Sequence, residues 1–381
     1  MVSSRLLATD APPIPAARAW AARYAGGCGP ALDLTQAVPG YPPPPALLER
    51  LGACAARADL AGYGPIDGEP VLREALAADY RALHGGDVRP EDVAITAGAN
   101  LAFALVSGVL AGSGEAVMLP APWYFNHRMA LEIAGIGCVT LPCEAAAGFV
   151  PDPERAASLW REGVRAVVLV SPNNPTGAVH PPEVIARFAA LCRARGAVLV
   201  LDETYRDFHP GRPHALFEDA DWRGHVVSIT SFSKAYCVPG ARLGAVVAGP
   251  AVRAQLAKAL DTWQICPPRS AQHAIAWAIA ELAAWRAGNR ALMDARAAAF
   301  GAAMAAAPDW RVEACGGYFA WVRLPEAWPD AAAAAERLAA ERGLMLLPGP
   351  FFGPGGARHL RFAFANAEAA RLAEIPARLG G

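Results

Sequence analysis

The sequence predicts an α/β protein: a mostly parallel central sheet in a large domain, helices on both faces of that sheet, and a smaller α+β domain. Three observations carry this. Residues 166–170, 197–201 and 226–229 are short, continuous apolar runs separated by stretches of helical spacing, the pattern of strands buried on both faces. Each run ends in a polar loop, which places any chemistry along one edge of the sheet. Around the alanine-rich residues 270–306 the alternation stops, and short strands with a single helix follow.

In chain order, residues 16–25 read as a short amphipathic helix and residues 32–36 as an extended segment. Prolines between 39 and 45 forbid regular structure there. Helices are expected at 46–60 and 70–83, the second with Pro70 at its start, where a missing N–H costs little. Residues 93–96 and 116–119 are strands, each followed by a helix. Later come long helices within 270–306 and a strand at 316–322. A helix, a short strand at 344–347 and a strand at 359–364 complete the chain. At 381 residues the chain exceeds what one core sustains. Residues 51–285 are expected to form the large domain and 286–381 the small one, with 1–50 joining the small domain.

Composition removes several functions. The chain is 54% hydrophobic and 18% charged with a net charge of −1, so no basic excess attracts nucleic acid or anionic lipid. No apolar run is long enough to span a bilayer, and residues 1–15 lack a signal pattern. The eight cysteines form no C-x-x-C pair; Cys138 and Cys143 come nearest, without the further ligands a zinc site needs. They read as reduced thiols, and the expected location is the cytoplasm.

Lysine is almost absent. Lys234 and Lys258 are the only two among 34 basic residues. Where arginine serves as the default cation, a retained lysine points to what arginine cannot do, namely lose its proton and attack a carbonyl. Lys258 reads as a surface residue. Lys234 follows a buried strand, within Ser231-Phe232-Ser233-Lys234-Ala235-Tyr236 and ahead of Pro239-Gly240-Ala241-Arg242-Leu243-Gly244.

Other strand ends are as polar. Gly98-Ala99-Asn100 opens a helix whose free N–H groups suit a phosphate. Ser171-Pro172-Asn173-Asn174-Pro175-Thr176-Gly177 is a rigid turn carrying two carboxamides. Asp202-Glu203-Thr204-Tyr205 puts a carboxylate at a buried strand end, where taken alone it would read as a helix cap. An amine, a buried carboxylate, an Asn, a Tyr and phosphate donors together describe a site for pyridoxal phosphate.

On these motifs, with Leu360-Arg361-Phe362-Ala363-Phe364-Ala365-Asn366 near the end, the sequence resembles the class I/II pyridoxal-phosphate-dependent aminotransferases of fold type I over nearly its whole length. The resemblance implies an enzyme that moves the amino group of an L-amino acid to a 2-oxo acid. It makes Lys234 the residue joined to the cofactor as an imine and the proton shuttle, with Asp202 paired to the pyridinium nitrogen. Asn174 and Tyr205 would hydrogen-bond the ring's phenolic oxygen, and Tyr124 would stack on its face. Gly98, Ala99, Asn100, Ser231, Ser233 and Arg242 would bind the phosphate. Arg361 would clamp the substrate carboxylate, with Asn174 and Ala37 beside it. Tyr63 would reach the cofactor phosphate of a second subunit, implying a homodimer with composite sites. No metal is implied.

The sequence departs from the family pattern at two places. Ala37-Val38-Pro39 replaces Gly-x-Pro where the substrate carboxylate nears the backbone, so a Cβ crowds that approach. The dicarboxylate-specific branch carries a second arginine before a Pro-Pro loop; here residues 261–268 have none, and Arg269 follows the prolines. Trp123, Trp263 and Tyr124 are expected near the pocket, which favours neutral, apolar or aromatic donors. Carbon–sulfur β-lyases, synthases and oxidases share these cofactor motifs and remain alternatives. A ligand-sensing module behind a DNA-binding helix is disfavoured, because the roughly 30 residues before the match carry no basic recognition helix.

Overall fold

The computed structural model describes residues 2–380. Its strands, in chain order, begin with β1 (Leu32–Asp33). Then come β2 (Val93–Thr96), β3 (Ala116–Ala121), β4 (Gly137–Pro142), β5 (Val164–Val170), β6 (Val198–Asp202), β7 (Val226–Ser231) and β8 (Gly244–Ala248). Five more close the chain: β9 (Arg311–Gly316), β10 (Phe319–Arg323), β11 (Leu344–Met345), β12 (Leu347–Pro348) and β13 (His359–Phe362).

Seven strands form the main sheet in the order β2-β8-β7-β6-β5-β3-β4. All pairings are parallel except those of β8, which runs against both β2 and β7. Successive residues of a strand face opposite sides, and here both sides are apolar. Met118, Val167, Leu169, Leu199 and Leu201 pack into one core with the helices Pro45–Ala55, Pro70–His84, Pro182–Ala194 and Arg269–Glu281. Val117, Leu119, Ala166, Val168, Val200 and Ile229 pack on the other face against Ala99–Leu110 and Pro250–Trp263. That double burial is why the runs at β5, β6 and β7 are continuously hydrophobic.

The second unit is an antiparallel sheet, β12-β13-β10-β9, covered by the helix Ala331–Arg342. Its core includes Leu32 and Leu34, and β1 pairs with β11, so the N-terminal segment completes it. From Leu47 onward the chain belongs to the core of the main sheet. The helix Ala283–Ala305 passes from one core to the other, since Leu282 lies in the first and Phe300 in the second.

Several elements differ from the expectations. The strand expected at 316–322 is one arm of a hairpin, β9–β10, turning at Gly317, whose φ of +53° suits glycine. The run at 344–347 divides between two sheets, Leu344–Met345 pairing with β1 and Leu347–Pro348 with β13. The helix expected at 16–25 runs instead over Pro13–Ala21. The edge strand β4 was not anticipated; it is only partly buried and therefore lacks a continuous apolar run. Nor was β8, a five-residue run of Gly, Ala and Val.

Candidate active site

The carboxyl ends of β5, β6 and β7 stand side by side, because Val170 pairs with Asp202 and Asp202 with Ile229. Thr96 of β2 and Ser231 of β7 both pair with Gly244 of β8, which brings the Gly98 turn to the same edge. A cavity of about 310 Å³ lies over this edge. Ala99, Asn100, Tyr124, Asn174, Asp202, Tyr205, Ser231, Ser233, Lys234 and Arg242 line it, and Ala37 and Arg361 close it from the other core. Two of the expected residues lie outside the lining. Gly98 sits beneath Arg242 with φ +96°, and a Cβ there would strike the Arg242 guanidinium. Tyr63 is on the surface, 82% exposed.

Lys234 stands on the connection from β7 to β8. Ser231 Oγ caps the short helix Phe232–Ala235 by accepting from Ser233 N–H at 3.2 Å, which turns Lys234 into the cavity. Its Nζ donates to the Ala37 carbonyl. Burial, and then the Arg361 and Arg242 charges, lower its pKa to about 8. An amine so placed is partly neutral near physiological pH, as a nucleophile and base must be.

Asp202 faces the cavity from the end of β6 and is nearly sealed from solvent. Oδ1 accepts from Thr204 N–H at 3.0 Å, and Oδ2 meets His127 Nε2 at 3.0 Å. His127 is held by stacking on Phe103, ring centroids 3.9 Å apart. It sits on the helix Phe125–Ala134, which begins directly after Tyr124. On that helix Asn126 Nδ2 donates to the Tyr124 hydroxyl at 2.8 Å, and the hydroxyl reaches Asn100 Oδ1 at 3.5 Å. Neither His127 nor Asn126 was singled out from the sequence; His127 follows Tyr124 by one helical turn, and only that spacing hinted at it.

Arg361 is 2% exposed, yet among the described residues no carboxylate pairs with it. Nη1 donates to Asn174 Oδ1 at 2.9 Å, Nη2 donates to the Thr35 carbonyl, and Nε has no partner. The guanidinium lies between the rings of Phe319 and Phe352, 4.8 and 4.9 Å from their centroids. Burial lowers its pKa to about 10. A buried cation with an open donor is costly unless an anion arrives.

The residues fit pyridoxal phosphate on these observations. Three cations and one carboxylate line the cavity, leaving positive charge for a phosphate and a substrate carboxylate. The space over Gly98 admits no side chain. The Tyr205 side chain borders the cavity, and burial raises its pKa, so it stays protonated and able to donate.

Glu203, the next residue after Asp202, points into the opposite core. Ser228 Oγ donates to its Oε2 at 2.5 Å, and His84 and His214 approach its Oε1 at 3.4 and 3.3 Å. This trio resembles a metal site in composition. The two imidazoles are stacked, 4.3 Å apart and 19° from parallel, and both bring Nε2 to the same Glu203 oxygen. His214 Nδ1 accepts from Leu216 N–H, which leaves its proton on Nε2, facing Glu203. Among the described residues Ser228 makes the hydrogen bond to this carboxylate, while Oε1 and the two Nε2 atoms have no hydrogen-bond partner.

A sheet edge that gathers a depressed-pKa lysine, a braced carboxylate and two arginines defines an enzyme working through pyridoxal phosphate. The profile of the family described as "Aminotransferase class I and II" matches residues 30–379. An aromatic aminotransferase of Arabidopsis thaliana is 28% identical over the whole chain and 95% of its own length. A valine–pyruvate aminotransferase of Mycobacterium tuberculosis is 31% identical over 88% of this chain and 86% of its own. Among solved structures, a double mutant of the Thermus thermophilus aspartate aminotransferase superposes with a TM-score of 0.92. It is 26% identical and covers 99% of this chain and 98% of its own. The chain belongs to the class I and II aminotransferase family and is a pyridoxal-phosphate-dependent transaminase of fold type I.

Proposed function

We propose that the enzyme moves the amino group of a neutral L-amino acid, apolar or aromatic, to a 2-oxo acid. The observation that carries this is the charge this chain brings to the lining: among the described residues its cations are Lys234, Arg242 and Arg361. Each has a role in this reading, so this chain leaves none for a side-chain carboxylate. Arg269, the one arginine near the Pro-Pro loop, is bound elsewhere, Nε to Glu69 Oε1 at 2.6 Å and Nη1 to the Asp59 carbonyl. The substrate side of the cavity is instead walled by Pro12, Ile14 and Phe125. Of the aromatics expected there, Tyr124 lines the cavity, but Trp123 and Trp263 do not; Trp263 is 73% exposed. The apolar wall thus comes from residues the sequence reading did not select.

In this reading Arg361 takes the substrate carboxylate at its open Nε edge, and Asn174, accepting from Nη1, keeps the guanidinium plane fixed. Lys234 Nζ removes the proton from the substrate's Cα and later returns one. Asp202, braced by His127 and Thr204, holds a proton on the cofactor's ring nitrogen. The cofactor, when bound, supplies an electron sink for the bond broken at Cα. Asn174 and Tyr205 would hold the ring's phenolic oxygen, with Tyr124 beside the ring. Ala99, Asn100, Ser231, Ser233 and Arg242 would hold the phosphate.

We also propose a homodimer. Tyr63 and Ile66 on one loop, and Trp263 and Ile265 at the end of the helix Pro250–Trp263 and just past it, are exposed on adjoining segments, since Gly64 N–H approaches Cys266 Sγ at 3.4 Å. Gln264, in the second segment, accepts from Ala97 N–H at 2.9 Å beside the Gly98 turn. An apolar face so near the phosphate cradle suits a second copy whose Tyr63 completes it. Steady-state comparison of donors is the test: a kcat/KM for aspartate above those for phenylalanine, leucine and methionine contradicts the proposed preference.

A further inference from the structure

The cavity has a neighbour. A second cleft, about 100 Å³, lies on the far side of Phe125 and is bounded by Trp123, Met129, Phe351 and Pro13. The two spaces share walls. Phe125 lines both, and along the N-terminal stretch Pro12 and Ile14 face the first while Ala11 and Pro13 face the second. Arg128 at this cleft is already paired with Glu132 at 2.9 Å, so it offers no free cation.

The first cavity is small for what it must hold. Pockets for single ligands run from about 300 to 1,000 Å³, and here about 310 Å³ must serve both cofactor and substrate. A large side chain therefore needs further room, and the adjoining cleft offers Trp123, Phe351 and Met129 on one side, with Asp10 and the paired Arg128 and Glu132 as its polar border. Methionine is unbranched and adapts to an irregular guest. Phe125 is held edge-on against Phe352 with ring centroids 5.7 Å apart, and tilted against Tyr124 at 5.0 Å. Lining both spaces, Phe125 stands between them.

Resting on the transaminase reading above, we propose that the cleft behind Phe125 is the side-chain subsite for large apolar or aromatic substrates, and that Phe125 determines how far they enter.

The test uses the cofactor-loaded enzyme with tryptophan, phenylalanine and alanine as donors. Phe125→Ala merges the two spaces and should raise the tryptophan-to-alanine ratio of kcat/KM by about ten-fold or more, the scale of one or two methylenes in an apolar pocket. Phe125→Leu should raise it less. Met129→Trp fills the cleft from its far end; it should lower the ratio by about ten-fold while leaving alanine within about two-fold of wild type. An unchanged ratio in Met129→Trp and in whichever Phe125 variant folds, with alanine turnover intact, overturns the subsite. A wild-type enzyme that processes no amino acid at all, alanine included, overturns the transaminase reading itself and the subsite with it.

Discussion

Arg361 Nη1 and Asn174 Oδ1 meet at 2.9 Å across 187 residues of chain, tying β13 to the loop after β5. The same guanidinium leaves Nε open and reaches the Thr35 carbonyl with Nη2. The residue proposed to receive the substrate is thus also a strut between the two cores.

Arg361→Lys keeps a charge but cannot span these partners. Removing one side of a buried charge pair costs about 2–5 kcal/mol, so kcat/KM should fall by about 30-fold or more for every amino acid. The absorbance of bound cofactor should persist. Steady-state kinetics with that spectrum check it, and a variant within three-fold of wild type in about all donors would contradict the clamp.

Lys234→Arg should abolish turnover, since arginine does not reach the neutral state near pH 7. The fall in kcat should exceed the roughly 10²–10⁴-fold that general acid–base help alone contributes. Cofactor should still bind without a covalent link. Lys258, exposed and bonded only to Gln255 Oε1 at 2.8 Å, is the control, and Lys258→Arg should be silent. If the two variants exchange phenotypes, the assignment of Lys234 is wrong.

Lys234 also bears on stability. Its pKa falls from 10.5 to about 8 on folding. Between those values the unfolded chain binds the extra proton, so this group's cost is full below about pH 8 and fades toward 10.5. In cofactor-free protein at pH 7, Lys234→Ala should raise the thermal midpoint, with an upper limit on the order of 3 kcal/mol. A lowered midpoint in calorimetry would contradict the strain assigned to this amine.

Acid should weaken the fold through buried histidines. Burial lowers His84 to about 3 and His180 to about 4, from 6.5. The unfolded imidazoles take protons first as pH drops, so stability is intact above about 6.5 and declines toward the folded values. Both His180 ring nitrogens lack partners, so His180→Leu should recover about 2 kcal/mol at pH 5 relative to pH 7. Thermal midpoints at the two pH values decide it; an unaltered difference excludes His180 as the source.

Tyr63→Phe should raise the cofactor's dissociation constant without unfolding the protein, and sedimentation should show a dimer. A fully active monomer would refute the composite site.

Much of this was readable from the sequence because parallel α/β sheets place their chemistry where an apolar run meets a polar turn. Asp202, Asn174, Ser231 and Lys234 each lie within four residues of such a junction. Their assembly into one cavity follows from strand order and register, which local pattern does not encode. His127, Asn126, Phe125, Pro12 and Ile14 escaped for a related reason. They sit on helices or on the N-terminal stretch, where histidine, asparagine and apolar residues look ordinary until a distant strand end is set against them. Trp123 neighbours Tyr124 in sequence but lines the second cleft rather than the main cavity, and its backbone N–H donates to the Phe352 carbonyl at 2.8 Å.

The contacts that close the cavity span the chain: Lys234 with Ala37 is 197 residues apart, and Arg361 with Thr35 is 326. Such closures come late in folding, because loop entropy must be overcome before they form. A chain emerging from the ribosome therefore has β6 and Asp202 long before it has a carboxylate clamp, and turnover, rather than cofactor binding, becomes a signal that both ends have arrived. During refolding, the return of turnover should lag the return of helical signal, so the cavity itself serves as a clock for the last step of assembly.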